Sequence, residues 1–191
     1  MTLKSVLTIK PGMFALMLLM AATRFHHFGT AFALPDASLA VFFLAAFWLG
    51  GRFFFAALLL EAGVIDYLAI TQLGVSDYCV SPAYVFLIPT YAAMWLGGQY
   101  SRQFKAWSIS NALKQCLVLM GSTSVAFMIS NGSFYLLSGR FAELSVAEYF
   151  QRVGQYYPSY LGGALLYGVM IIGLVAVVKL ILQEKDSHEA V

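Results

Sequence analysis

Six apolar segments separated by polar connections restrict the fold of this chain more than any other feature of its sequence. They lie at residues 12–24, 37–49, 53–73, 84–96, 112–129 and 160–182. A chain of 191 residues suits about six crossings of a bilayer with about 20 residues each. Only 10% of the residues are charged, against about 25% in a soluble domain. We therefore predict an all-α integral membrane protein with six transmembrane helices in a single domain, residues 1–191.

Local signals refine these segments. Asp36 is a natural N-cap for the second helix, and Gly50-Gly51 predicts a tight turn before the third. Residues 131–157 form the longest predicted connection, and residues 144–153 within it could form a short amphipathic helix.

The 11 Lys and Arg residues predict the orientation of the bundle. With the N-terminus inside, eight of them fall on the inner side: Lys4, Lys10, Arg52, Arg102, Lys105, Lys114, Lys179 and Lys185. The outer side receives Arg24, Arg140 and Arg152. This distribution agrees with the positive-inside rule and predicts cytoplasmic N- and C-termini. The connections that contain His27, Cys79 and residues 131–157 then share the outer face, where we expect a ligand site to open.

Cys79 is the residue of this outer face with the richest chemistry. A thiolate is a nucleophile and a soft ligand for a late transition metal, although a free thiol with a pKa of about 8.5 is mostly protonated at neutral pH. The alternative is an inert small residue. We expect no disulfide with Cys116, because that residue is predicted on the far side of a hydrocarbon core about 30 Å thick, whereas a disulfide needs Cα atoms within about 7 Å.

Two acids lie inside the predicted third helix. Acids within a membrane are costly and normally face a cavity or a partner. Asp66 lies near the outer end and is a candidate acceptor for an amide or hydroxyl of a ligand. Glu61 lies nearer the middle, where it could be a proton-coupling acid or a protonated, internally bonded side chain.

Four further residues of the outer side are candidate ligand contacts. Tyr84 and Tyr78 flank the Cys79 loop, although tyrosines also populate the interfacial belt of any membrane protein. Arg152 could bind a phosphate or amide of a ligand, or a lipid headgroup. His27 follows His26 directly, so on a helix the two point about 100° apart and could not easily chelate one ion.

Three stretches of this sequence resemble a known family. They are RFHHFG at 24–29, LPDASLA at 34–40 and, above all, DYCVSPAY at 77–84. They are similar to the BtuM family of vitamin B12 (cobalamin) transporters of Gram-negative bacteria. That family belongs to the six-helix substrate-binding S-components of energy-coupling-factor (ECF) transporters, and the resemblance covers nearly the whole chain.

The resemblance implies a function and a set of roles. Cobalamin would be the transported substrate, and Cys79 would bind its cobalt axially. Asp66, Tyr84 and Arg152, with Tyr78 and His27 as further candidates, would contact the corrin ring or its amides. Cys79 could also help to remove an upper axial ligand such as cyanide, with an external reductant. The family further implies the bacterial inner membrane as location, and membrane lipids, a scaffold subunit and two ATPases as partners.

Two other classes of function stay open at this stage. An ion-coupled small-molecule transporter would use Glu61 and Asp66 as proton sites. A membrane thiol enzyme would act through Cys79 on a haem, another tetrapyrrole or a lipid quinone. Nucleic acid is not an expected partner, because the formal net charge is only +2 and the basic residues are scattered.

Overall fold

The computed structural model describes residues 11–24, 34–78, 80–106, 108–141 and 145–189, with the backbone alone at 179–180 and 182–189. The regular structure in these ranges is helical throughout. The six α-helices are α1 (Pro11–Arg24), α2 (Ser38–Trp48), α3 (Arg52–Leu73), α4 (Leu87–Ser101), α5 (Ile109–Leu137) and α6 (Val146–Glu189). Short 3₁₀ helices precede α4 at Pro82–Phe86 and follow it at Arg102–Phe104. The prediction of an all-α protein is confirmed.

Three helices in the described part of the chain are long and apolar enough to cross a membrane. They comprise α3 over its whole length, α5 over its whole length and α6 at Val146–Val178. Helices α1 and α2 are apolar but shorter. The structure therefore supports the membrane class, with three helices that meet this criterion against the six crossings predicted from the sequence.

The last two helices are longer than predicted. Helix α5 continues to Leu137, and α6 begins at Val146, so that the predicted amphipathic segment 144–153 is simply the start of α6. A capping box begins this helix, because Ser145 N donates to Glu148 Oε2 at 2.9 Å and Glu148 N donates to Ser145 Oγ at 3.3 Å. Pro158 lies inside the helix without ending it. The connection predicted at 131–157 is reduced to residues 138–145.

Helix α2 lies at the centre of the bundle. Ten of its 11 residues are buried, and it packs against α1, α3, α4 and α6. Helix α4 approaches it most closely at Gly98, where a Cβ atom would collide with the backbone carbonyl of Phe43. At 1.5 Å per residue α2 is about 16 Å long, roughly half the thickness of a bilayer core. Its start is buried at Ala37 and Ser38, whereas Trp48, Leu49 and Gly50 at its end are half-buried.

Candidate functional site

A buried arginine organises the end of α2 that begins at Ser38, which we call the ion-pair end. The side chain of Arg24, the last residue of α1, is only 2% exposed. Its Nε and Nη2 donate to Oδ1 and Oδ2 of Asp66 at 2.8 and 2.7 Å, which makes a two-point ion pair between α1 and α3. Its Nη1 donates to Tyr91 Oη at 2.6 Å and to Ser38 Oγ at 2.9 Å, and lies 3.4 Å from Asp36 Oδ2.

The first turn of α2 builds part of this arrangement. Asp36 Oδ1 accepts from the backbone N–H of Ser38 at 2.8 Å and from its hydroxyl at 2.6 Å. Thr23 Oγ1 accepts from Ala37 N at 3.1 Å. Free N–H groups at a helix start need such acceptors, which explains why an acid stands here. The N-cap residue of α2 is Ala37, so the prediction of Asp36 as the N-cap is wrong by one position, although Asp36 still accepts from the N–H of Ser38 at the start of the helix.

The structure brings together two of the residues predicted for the site. The hydroxyl of Tyr84 donates to Asp66 Oδ2 at 2.5 Å. Tyr84 belongs to the 3₁₀ helix Pro82–Phe86 after the Cys79 loop, and Ser81 caps that helix, because its Oγ accepts from Ala83 N at 3.3 Å. The hydrogen bond therefore joins the end of the loop to α3. We call Arg24, Asp66, Tyr84, Tyr91, Ser38 and Asp36 the Arg24 network.

Both oxygens of Asp66 already accept hydrogen bonds from protein groups, Oδ1 from Arg24 and Oδ2 from Arg24 and Tyr84. The more accessible carboxylate of the network is Asp36, whose side chain is 29% exposed against 10% for Asp66. Arg24 contacts both carboxylates, Asp66 through two nitrogens and Asp36 through one.

The network lies below a layer of aromatic side chains. Asp66 precedes the end of α3 at Leu73 by seven residues, or about 10 Å of helix. The ring centroid of Tyr78, in the loop after α3, lies 5.7 Å from that of Phe134 on α5. The guanidinium of Arg140, in the connection between α5 and α6, lies 4.2 Å from the same Tyr78 ring centroid. Two of the connections predicted to share a face therefore meet.

The α1–α2 connection contacts the bundle at the same end. Tyr167 on α6 donates its hydroxyl to Pro35 O at 2.8 Å, and Gly163 leaves room for Pro35 against the same helix. This end of the molecule thus combines a buried ion pair, tyrosine hydroxyls and aromatic faces. These groups can form hydrogen bonds and aromatic contacts.

The remaining predicted site residues divide into two groups. Cys79 and His27 lie outside the described residues. Arg152 is exposed on α6, four residues after Glu148, whose negative charge it faces. The Arg24 network was predicted only at Asp66 and Tyr84, and its central cation was assigned to a connection. The available signal was the position of Arg24 at the edge of an apolar run, since a cation there requires an acid as partner.

The other residues singled out from the sequence take separate positions. Oε2 of Glu61 is buried and has no hydrogen-bond partner among the described residues. Cys116 is a half-buried free thiol on α5. Within the described ranges, no three His, Cys, Asp or Glu side chains are grouped as a metal site would require. Comparison of the chain with protein-family models and with curated proteins found no match.

Proposed function

We propose that the protein binds cobalamin at the ion-pair end of the bundle and takes part in its uptake across a membrane. The observation that carries the proposal is the hydrogen bond between Tyr84 and Asp66, because it joins the end of the Cys79 loop to a buried ion pair. The resemblance of residues 77–84 to cobalamin transporters supports the same assignment. Corrin side-chain amides can donate hydrogen bonds to a carboxylate, and the side chain of Asp36 is 29% exposed at this end.

In this proposal Cys79 supplies the axial ligand to the cobalt of the substrate. Metal binding favours the thiolate, because a cation lowers the pKa of a coordinating thiol. A thiolate donates electron density and weakens the bond to the opposite axial ligand. For cyanocobalamin, one electron from an external reductant would convert Co(III) to Co(II), and cyanide would leave as an anion with the bonding electron pair. The cysteine sulfur itself is neither oxidised nor consumed.

The finer architecture belongs to the same proposal. The six apolar segments support six crossings, and the eight-to-three distribution of Lys and Arg supports cytoplasmic termini. The bacterial inner membrane is what the family resemblance implies. With this orientation the ion-pair end would lie on the outer side, where the substrate arrives. The sequence contains no phosphate-binding motif of the G-x-x-x-x-G-K-[ST] type, so ATP-driven uptake would need partner ATPases and a scaffold subunit.

The test is the absorption spectrum of protein purified from cells grown with cobalamin. Wild-type protein is expected to carry a corrin spectrum that differs from that of free cobalamin, because one axial ligand is sulfur. Cys79→Ala should lose this difference or the bound corrinoid altogether. Cys116→Ala removes the only other cysteine and is expected to behave as wild type, which makes it the matched control.

Two results would contradict the proposal. One is a bound molecule without a metal, such as a quinone or a metal-free tetrapyrrole, which would favour a thiol enzyme. The other is a Cys79→Ala protein whose bound cobalamin has the wild-type spectrum and loses cyanide at the wild-type rate. The first result removes cobalamin as substrate, whereas the second removes only the role of Cys79.

One observation favours ion-coupled transport as a second candidate. The buried Glu61 Oε2 has no described partner, whereas Asp66 is occupied by Arg24. Proton coupling would therefore use Glu61 alone rather than both acids. This candidate predicts that uptake stops when an uncoupler is added at constant ATP, and that Glu61→Gln uptake no longer responds to the uncoupler. Uptake that follows ATP alone would exclude it.

A further inference from the structure

A small cavity opens at the other end of α2, which we call the glycine end after Gly50 and Gly51. It has a volume of about 60 Å³ and lies where the end of α2, the α4–α5 connection, the start of α5 and α6 meet. Phe47, Trp48, Lys105, Ser108, Gln115 and Ile172 are among its lining residues. Pockets for small organic ligands usually measure about 300 Å³ or more, so this one suits a single small group rather than a whole metabolite.

The polar side of the cavity presents donors. The ammonium of Lys105 lies 5.6 Å from the ring centroid of Phe47, which holds the charge at the cavity. Ser108 caps α5, and its Oγ accepts from Asn111 N at 3.1 Å, so its own O–H is available to donate outward. None of the described residues that line the cavity is acidic. Residues 78–142 of the sequence contain no Asp or Glu at all.

The opposite side of the cavity is apolar and continues along a membrane-crossing helix. Ile172, Val175 and Ala176 of α6 line it, half-buried, and Leu174 and Val178 on the same helix are exposed. Trp48 stands beside this wall, as tryptophans do at the boundary between hydrocarbon and headgroups. Donors on one side and an extended apolar wall on the other match a molecule with a charged head and an acyl chain.

We propose that this cavity binds the phosphate of an anionic phospholipid. The phosphate would accept from Lys105 and Ser108, and one acyl chain would lie along Ile172 and Val175. An anionic lipid is favoured over a zwitterionic one because the described lining supplies a cation and no acid to receive a choline or ethanolamine group. The site is independent of the function proposed above, because it lies at the opposite end of α2.

The test is lipid binding to detergent-purified protein, measured by native mass spectrometry with phosphatidylglycerol and phosphatidylcholine. Wild-type protein is expected to retain one phosphatidylglycerol in preference to phosphatidylcholine. Lys105→Gln should weaken phosphatidylglycerol binding about fivefold, which corresponds to about 1 kcal/mol per basic residue at a membrane surface. Lys105→Arg keeps the charge and should bind as wild type.

The matched control is Lys114→Gln. Lys114 lies near the start of α5, with its ammonium 5.5 Å from the Phe104 ring centroid, and does not line the cavity. It should change phosphatidylglycerol binding less than twofold. Equal losses in the two variants, equal retention of the two lipids by the wild type, or displacement by inorganic phosphate at millimolar concentration would each overturn the proposal. Lys105→Gln is expected to unfold at the same thermal midpoint as wild type, because the exposed Lys105 is not needed for folding.

Discussion

The two ends of α2 meet the same physical need in different ways. At the ion-pair end, Arg24 donates to side chains of α2, α3 and α4 and contacts two carboxylates. At the glycine end, Arg102 donates through Nε to one backbone carbonyl, Ala46 O, at 2.8 Å, and its Nη2 contacts the same oxygen. Arg102 gives a hydrogen bond to a carbonyl at the end of α2, whereas the N–H groups at its start donate to Thr23 and Asp36, and Arg24 contacts Asp36 in turn.

The difference indicates which of the two arginine networks a ligand could rearrange. Arg102 binds a helix carbonyl beside a turn of two glycines with φ of 68° and 95°. This contact has a structural role, because it satisfies the carbonyl. The ion-pair end instead gathers ionisable and hydroxyl groups that a ligand could rearrange, and Tyr84 joins it to the Cys79 loop. Buried ion pairs are a poor source of stability compared with apolar packing, so their presence suggests another role.

Removing the cation from the ion-pair end should have the largest effect on stability. Arg24→Met leaves Asp66 as a buried carboxylate without its main partner. Breaking a buried pair in this way costs about 3–5 kcal/mol. We expect a loss of this size in the free energy of unfolding, measured by chemical denaturation in detergent micelles.

The double variant Arg24→Met/Asp66→Leu is the control for this prediction. It removes both charges, so the desolvation cost disappears together with the attraction, and the protein should be more stable than either single variant. If the double variant lost the sum of the two single losses, Arg24 and Asp66 would not be energetically coupled, and each would stabilise the fold through other partners. The contrast drawn between the two ends would then fail.

Tyr84→Phe should have the next largest effect. It removes one hydrogen bond to a charged acceptor, a loss of about 1.5–3 kcal/mol. Tyr167→Phe is the matched control, because its hydroxyl donates at 2.8 Å to the neutral carbonyl of Pro35 and should cost about 1 kcal/mol. The measurement is the difference between the two unfolding free energies. Equal values would mean that the Arg24 network does not strengthen the bond of Tyr84.

The turn at the glycine end could be predicted from the sequence, whereas the contacts of the ion-pair end could be predicted only in part. Gly50-Gly51 signals a turn by itself, and both residues adopt positive φ. Asp36 was predicted as the N-cap, one position too early, from its place before an apolar run, a signal that spans only a few residues. The pairing of Arg24 with Asp66 joins residues 42 positions apart, and no local pattern specifies such a contact.

The bounds of the helices, too, could be predicted from the sequence only in part. The sequence predicted a connection as far as residue 157, yet α6 begins at Val146 and continues through Pro158. The capping box of Ser145 and Glu148 was a usable local signal for the start of this helix. Hydropathy alone located the centres of the helices, and capping chemistry was needed for their ends.

Gly50→Ala tests the glycine end with a smaller expected effect. A Cβ atom at residue 50 would collide with the guanidinium of Arg102, whereas one at residue 51 would meet nothing within 4 Å. Both substitutions strain a positive-φ backbone, so the informative quantity is their coupling to Arg102→Met in double-mutant cycles. We expect coupling of about 1 kcal/mol for Gly50 and less than about 0.5 kcal/mol for Gly51. Equal coupling would show that Arg102 responds to the turn as a whole.

Arg152→Gln should have the smallest effect on stability and separates the buried from the exposed layer of the ion-pair end. Arg152 is exposed on α6, and a surface substitution of this kind changes the free energy of unfolding by less than about 0.5 kcal/mol. If Arg152 contacts bound cobalamin, losing a hydrogen bond from a charged donor should weaken binding about tenfold or more, measured by spectral titration. Unchanged affinity would remove Arg152 from the site. A large loss of stability would instead show that Arg152 stabilises the fold. The distinction between the buried Arg24 network and an exposed ligand-binding surface would then be wrong for this residue.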